Sequence, residues 1–229
     1  LRNKIPFEQR RRLLRSLPRL AQPAWLGTLR RTAPVSDNWG IERGTPIDRH
    51  YIERFLHQHR CDIRGHVLEI RDNRYTKSYG TGVIRSDILD INPANLQFIY
   101  ETRAAVAHAH RILRPGGVLL ATLPCVSRIS PRHGLQTDYW RFTVASCTAL
   151  FGAAFGAEQV TVCSHGNVLT SIAFLAGLAA EELSAQELDA CDAYFPLLLT
   201  VRALKGAAEQ PEQPAALHKL VNKRSDSAG

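Results

Sequence analysis

The sequence predicts an α/β fold in which helices cover a doubly wound, mostly parallel sheet. Apolar residues form one helical stripe between Leu96 and Leu113, with basic residues near its carboxyl end. Pro115 and Gly116 then end the helix and begin a tight turn. Residues 118–121 are apolar without alternation, as expected for a strand covered on both faces. Together these features indicate a helix that crosses over into a buried strand.

The amino-terminal part of the domain predicts one helix and two strands. Thr45 can cap a helix over residues 46–59, where Pro46 suits the first turn and Asp48 lies at the positive end. The buried stripe of that helix would consist of Ile47, Tyr51, Ile52, Phe55 and Leu56. Strands are expected at residues 66–70 and 82–91.

The carboxyl-terminal part continues the same alternation. After the strand at 118–121, residues 124–143 form a long segment with few aliphatic side chains, which is typical of a lid over a crevice. Thr143 then caps a further helix. The remaining predicted elements are a strand at 158–163, a helix at 168–183, a helix start at 184–187 and a last strand at 194–204.

Composition supports one globular domain with appendages. The chain has 229 residues, of which 45% are apolar, and no apolar run approaches the roughly 20 residues of a bilayer-spanning helix. The five cysteines are odd in number and lack a Cys-x-x-Cys pair, so neither a disulfide framework nor a metal site is predicted. Reduced thiols in a cytoplasmic protein are expected.

The ends of the chain differ in composition from its centre. We expect a basic arm or linker over residues 1–33, a domain over 34–205 and a flexible tail over 206–229. The arm carries much of the net charge of +8 and interleaves arginine with leucine. It is either a linker from a preceding domain or an amphipathic helix that touches an anionic membrane surface or nucleic acid. The chain lacks methionine and begins at Leu1, which indicates a fragment.

Two polar residues follow the first two strands. Glu69 ends the first strand, and ligands of doubly wound sheets bind beside the carboxyl ends of strands. Asn92 comes 23 positions later, where such folds place a residue that contacts a ribose hydroxyl. As a neutral side chain, Asn92 would make a weaker contact than a carboxylate. The alternative for Glu69 is a solvated loop carboxylate.

Four segments resemble class I S-adenosylmethionine-dependent methyltransferases, specifically the bacterial type-11-like members often found near or fused to glycosyltransferases. These segments are residues 43–53, 67–76, 113–119 and 138–143. The resemblance implies a Rossmann-like fold and S-adenosyl-L-methionine as cofactor. It also implies that Glu69, Arg71, Asp72 and Asn73 lie against the methionine end of the cofactor, with Asn92 near its ribose.

The resemblance further implies methyl transfer to a hydroxyl group of a sugar or another small acceptor, in a protein with a possible upstream glycosyltransferase domain. The acceptor hydroxyl must lose a proton as the methyl group moves, so His133, Asp138 and His165 are candidate bases. Tyr139 and Arg141 are candidate acceptor contacts. The alternative is that Asp138 pairs with Arg141 at the surface while the neighbouring aromatic residues pack the lid onto the core.

Two other functions compete with this one. The first is a catalytically inactive interaction domain of a glycan-assembly enzyme, which has the methyltransferase fold without its cofactor pocket. The second is nucleic-acid modification, which depends only on the basic charge and lacks a base-stacking or base-flipping signature. Nucleic acid is therefore the least favoured partner.

Arg71 departs from the family pattern. The cofactor loop of these enzymes has a glycine soon after the acid, because a backbone without Cβ can approach the ligand and take a positive φ. The arginine side chain could swing outward and leave the site intact, or it could fill the pocket. The sequence leaves both outcomes open.

The chain is also short in its centre. Only 25 residues separate Asn92 from Val118, whereas a strand-helix-strand unit needs about 30. The predicted sheet therefore lacks one or two central elements between Asn95 and Leu96. A natural deletion, a rearranged sheet and a sequence that omits residues are three explanations, and the first of them predicts an inactive relative.

Overall fold

The computed structural model describes residues 31–89, 102–129 and 138–206. Helices and strands both occur in these ranges, which confirms the predicted α/β composition. In chain order the elements are α1 Ile47–Gln58, β1 Gly65–Ile70, α2 Arg74–Tyr79, β2 Val83–Leu89, α3 Thr102–Ile112, β3 Val118–Pro124, α4 Val144–Phe155, β4 Val160–His165, α5 Val168–Ala176, α6 Ala185–Asp189 and β5 Leu198–Leu204. Short 3₁₀ helices lie at Arg60–Asp62, Ala157–Gln159 and Ala180–Glu182.

The described strands form two sheets, whereas one mostly parallel sheet was expected. Strand β1 pairs with β2 in parallel, and β5 lies between β3 and β4 and runs antiparallel to both. The apolar run in β3 predicts two covered faces, and both faces are indeed packed. Burial of a strand does not report the direction of its neighbours, so this run could not reveal the antiparallel pairing.

Helices cover both faces of the three-stranded sheet. On one face, Leu199, Val201 and Ala203 of β5 pack with residues of α3 and α4. On the other face, Leu198 packs with α1 and α5. The predicted stripe of α1 is confirmed, because all five of its members are buried there: Ile47, Tyr51, Ile52, Phe55 and Leu56. Successive side chains of a strand point to opposite faces, so one sheet packs against a separate core on each face.

The two-stranded sheet is covered on one face. Val67 packs against the core around α1, whereas Leu68 and Ile70 point to the other face and are 46% and 56% exposed. Within the described residues, β1 pairs only with β2 and β3 pairs only with β5. Each therefore has one unpaired edge there. The predicted gap between Asn95 and Leu96 lies outside the described residues.

Several element boundaries differ from the prediction. Helix α5 ends at Ala176 rather than at residue 183, because Gly177 takes φ 78° and Leu178 N–H donates back to the Ala173 carbonyl at 2.9 Å. Strand β5 begins at Leu198 rather than at residue 194. Helix α2 was not predicted, since its six residues are too few to show a periodic stripe.

None of the helices in the described ranges is long and apolar enough to cross a membrane. Residues 1–30 of the basic arm and 207–229 of the tail lie outside those ranges. Membrane contact through the arm therefore stays a prediction. All five cysteines are described, and all are free thiols.

Candidate functional site

Glu69 holds helix α2 against the end of β1. Its Oε1 accepts a hydrogen bond from Tyr75 N–H at 3.1 Å, and its Oε2 accepts from Thr76 N–H and Thr76 Oγ1, both at 2.8 Å. These amides belong to the first turn of α2, where backbone donors have no partner within the helix. The acid therefore lies at the carboxyl end of β1, as predicted, and both of its oxygens bind the loop that follows.

Arg71 makes the turn between β1 and α2. Its φ is 76°, in the left-handed region that favours glycine, and its N–H donates to the Leu89 carbonyl at 3.0 Å. The side chain is exposed. The next residue, Asp72, accepts from Arg74 N–H at 3.0 Å, and Asn73 directly precedes α2. The backbone thus adopts the shape that a glycine would give, although the residue is arginine.

The first turn of α1 adds two charged residues that sequence reasoning had not placed in the site. Arg49 Nη1 donates to the Tyr75 hydroxyl, which brings α1 beside α2. Asp48 is partly buried, and desolvation raises the pKa of its carboxyl group, although the neighbouring Arg49 opposes this. The sequence held one indication of them. Both charged residues lie in a helix between Ile47 and Tyr51, which are buried.

Asp138 and Arg141 pair with each other. Arg141 Nη1 and Nη2 donate to the two carboxylate oxygens at 2.5 and 3.1 Å, and Nη2 also donates to the Arg128 carbonyl at 3.1 Å. Asp138 raises the pKa of the guanidinium. The pair ties the segment after β3 to the segment before α4. This geometry is that of the alternative in which Asp138 pairs with Arg141 at the surface. The contact of Arg141 and Tyr139 with an acceptor stays a prediction.

His165 lies at the end of β4 and packs inside the protein. Its Nε2 is 2.9 Å from Thr200 Oγ1, and its ring stacks on Tyr51 with 5.8 Å between centroids. Burial lowers its pKa, with a further contribution from Arg54, and this favours the neutral ring. These contacts hold the half-buried ring between β5 and α1. His133 and Asn92, the other predicted contacts, lie outside the described residues.

Trp39 and Arg128 join two loops. The Arg128 guanidinium carbon lies 4.7 Å from the centre of the Trp39 ring, and its Nη1 is 3.8 Å from an Asp37 oxygen. Trp39 has φ 55°, an uncommon value for a bulky residue. No periodic pattern around residue 39 had indicated this contact. It links the segment before α1 to the segment after β3.

A shallow concavity of about 520 Å³ lies elsewhere, along the middle of α1. His50 Nε2 is buried there and has no hydrogen-bond partner among the described residues. The lining residues are Thr45, His50, Glu53, Arg54, His57, Tyr79, Ala180, Glu181 and Leu188. None of the predicted site residues that the structure describes lines this concavity.

Comparison with known proteins identifies no relative. No protein-family model matches the chain. No curated protein and no solved structure matches it either. The residues of the site are therefore the basis for assigning a ligand.

Charges of both signs surround the start of α2. Arg71 and Asp72 lie in the turn before α2, and Arg49 contacts Tyr75 in its first turn, while the oxygens of Glu69 bind the helix amides. A small zwitterion presents an ammonium and a carboxylate group, and side chains of opposite sign complement the two. The set therefore suits a small ligand that carries groups of both signs. Within the described residues, no three His, Cys, Asp or Glu side chains converge as metal ligands.

Proposed function

We propose that this chain binds S-adenosylmethionine at the carboxyl ends of β1 and β2 and transfers its methyl group to a hydroxyl of a small acceptor such as a sugar. The turn after β1 is the observation that carries the proposal. Arg71 follows the acid of β1 by two positions and has φ 76°, the conformation for which the resembled methyltransferases use glycine. A side chain that disfavours this conformation adopts it here, which indicates that the surrounding fold requires the turn.

The strand arrangement also supports the proposal. Strands β1 and β2 run parallel, and ligands of doubly wound sheets bind beside the carboxyl ends of such strands. The parallel pair β1 and β2 corresponds to the strands that would carry the cofactor loop.

The chemistry requires a positioned base. Bound S-adenosylmethionine would supply an electrophilic methyl group on its sulfonium sulfur. The protein would orient the acceptor oxygen and take its proton as the new carbon–oxygen bond forms and the carbon–sulfur bond of the sulfonium breaks, which would release S-adenosylhomocysteine. His165 is hydrogen-bonded to Thr200 and stacked on Tyr51, and Asp138 is paired with Arg141. Both candidate bases therefore already have partners within the protein. His133 lies outside the described residues, and its role as the base stays a prediction.

A second function, an interaction domain without catalysis, is favoured by different observations. Both oxygens of Glu69 bind the amides of α2, so the carboxylate has fewer positions left for a ligand ammonium group. Strands β1 and β3 each keep an unpaired edge within the described residues. A domain that had lost its cofactor pocket would keep the fold and show these features.

Calorimetry with S-adenosylhomocysteine separates the two functions. The proposal predicts heat of binding at high micromolar ligand, and it predicts weaker binding for Glu69→Gln, because the cap of α2 loses its charge. Glu158→Gln is the matched control, because Glu158 precedes β4 of the three-stranded sheet, away from β1, and this variant should bind like the wild type. An absence of heat with the folded wild type would contradict methyl transfer and favour the interaction domain.

A further inference from the structure

Helix α5 turns an apolar face to solvent. On its inner side, Thr170, Ala173 and Phe174 are buried. Its outer face consists of four apolar side chains that are each between 39% and 49% exposed: Val168, Leu169, Ile172 and Leu175. A surface helix normally has polar side chains on its outward face, and a helix that is apolar on all sides is normally buried. The outer face of α5 therefore has the composition of a surface that is covered.

The basic arm enters the domain at one end of this face. Val35 N–H donates to the carbonyl of Ala176, the last residue of α5, at 2.7 Å, and the next residue, Ser36, is buried. Helix α5 has 9 residues and is therefore about 14 Å long, whereas six extended residues reach about 20 Å. Leu29, six positions before Val35, can thus reach every part of the outer face.

Two acidic residues lie at the other end of the face. Asp192 N–H donates to the carbonyl of Gly166, just before α5, at 2.9 Å. The Glu187 carbonyl accepts from the side chain of Asn167, the residue that caps α5, at 2.8 Å. Neither carboxylate forms an ion pair within the part of the chain that the structure describes. The start of α5 therefore offers negative charge to a cationic partner.

The order of residues in the arm matches the order of features along α5. Nearest to the domain, the arm has the apolar residues Trp25, Leu26 and Leu29, and further from it come Arg15 and Arg19. A chain that runs back along α5 from its carboxyl end would lay the apolar residues on the outer face. It would then bring the two arginines to the acidic residues at the start of the helix, where opposite charges fix the register.

We propose that residues 15–29 of the arm pack on the outer face of α5 of the same chain. The inference is independent of the proposed function. Burial of apolar area on both partners stabilises the contact. The acidic residues at the end of the face disfavour an anionic bilayer as the partner. A second copy of the chain is also disfavoured, because four side chains that are less than half exposed offer far less than the roughly 800 Å² per partner of a stable dimer.

Trypsin digestion of the full chain tests the contact, because the arm contains its own cleavage sites. Ile172→Gln puts a polar amide on the outer face and should speed cleavage after Arg19 by about tenfold or more, as followed by mass spectrometry. Cleavage after Lys219 in the tail is the internal reference and should not change. Leu26→Gln should release the arm equally, and it lies outside the domain, so it leaves the folded core intact. Ile112→Gln, at an exposed isoleucine of α3, is the matched control and should change neither rate.

The outcomes separate the three possible occupants of the face. Faster cleavage after Arg19 in both Ile172→Gln and Leu26→Gln, in a protein that is monomeric by light scattering, supports the arm. Unchanged cleavage in either variant would overturn the inference. A wild-type dimer that dissociates in Ile172→Gln would also overturn it and assign the face to a second copy. Sedimentation with phosphatidylglycerol vesicles that Ile172→Gln abolishes would overturn it in favour of a bilayer.

Discussion

Asp62 and Arg202 form an ion pair between the turn before β1 and the central strand β5. Arg202 Nε lies 2.8 Å from Asp62 Oδ2, and Nη2 lies 3.1 Å from Oδ1. His59 Nδ1 lies 3.6 Å from the same carboxylate. The pair is partly shielded, with side chains 31% and 21% exposed, and Arg202 lowers the pKa of Asp62. One bidentate contact thus connects the two sheets.

The first prediction concerns this pair and pH. Because the folded-state pKa of Asp62 lies below its ordinary value of 3.8, the stabilisation is fully present above that value and is lost as pH falls through the folded pKa. Asp62→Asn should lower the free energy of unfolding by about 1–2 kcal/mol at pH 7. The difference from the wild type should shrink below pH 3.8, as measured by urea unfolding across pH.

A more exposed pair provides the control for that measurement. Arg54 and Asp189 pair on the surface, with side chains 49% and 60% exposed. Water screens such a pair, so Asp189→Asn should change the free energy of unfolding by less than about 0.5 kcal/mol at any of these pH values. Equal losses in Asp62→Asn and Asp189→Asn would contradict a special role for the partly shielded pair.

At the scale of the element, helix α5 is shaped by its two ends. Asn167 and Thr170 form a capping box at the start, and Gly177 ends the helix in the left-handed conformation. Gly177 also lies against the segment before α1, since a Cβ built there would be 2.3 Å from the Ser36 carbonyl oxygen. The glycine therefore serves both the helix end and a close approach between chain segments.

Gly177→Ala should accordingly destabilise the protein by at least about 2 kcal/mol, through left-handed strain together with the backbone clash. Gly116→Ala is the matched control, because Gly116 has φ 75° but no heavy atom within 4 Å of the built Cβ. It should cost only the strain, about 1 kcal/mol. Chemical denaturation of both variants measures the difference, and equal losses would show that the approach to Ser36 is easily relaxed.

At the scale of the whole molecule, the two sheets are unequally supported. Strand β5 is central and has both faces packed, and its Leu199, Val201 and Ala203 are fully buried. Strands β1 and β2 form a pair whose outer face leaves Leu68 and Ile70 about half exposed. A two-stranded sheet with one packed face gains less from burial than a three-stranded sheet with two.

Hydrogen exchange should reveal this inequality. Amides of β1 and β2 are expected to exchange through openings of lower free energy than amides of β5, because local stability follows buried apolar contacts. The measurement is native-state exchange followed by mass spectrometry or NMR, with β3 as an internal comparison. Uniform protection across both sheets would contradict the prediction.

The sequence anticipated the features that depend on local pattern. The stripe of α1, the turn at Pro115 and Gly116 and the buried run of β3 follow from side-chain periodicity and from residues that end helices. The position of Glu69 at the end of β1 follows for the same reason. The bond from Arg141 to the Arg128 carbonyl and the neighbours of His165 have no such local pattern.

Contacts between distant segments were decided by the tertiary structure alone. The sequence placed His165 as a candidate base, yet only the fold brings its ring onto Tyr51. The sequence had offered the pairing of Asp138 with Arg141 as an alternative, whereas only the fold decided that Arg141 also donates to the Arg128 carbonyl. Arg49 joined the site because α1 packs beside α2. Chain neighbours are determined by covalent order, whereas these partners are determined by packing.

By itself, therefore, the sequence determined an α/β protein with a buried strand after a Pro-Gly-Gly turn and an acid at the end of β1. Only the tertiary structure decided that β5 runs antiparallel between β3 and β4, and that Arg71 takes the conformation of a glycine. The physical reason is that periodicity reports which faces are buried. Strand direction and backbone dihedral angles depend on partners far along the chain.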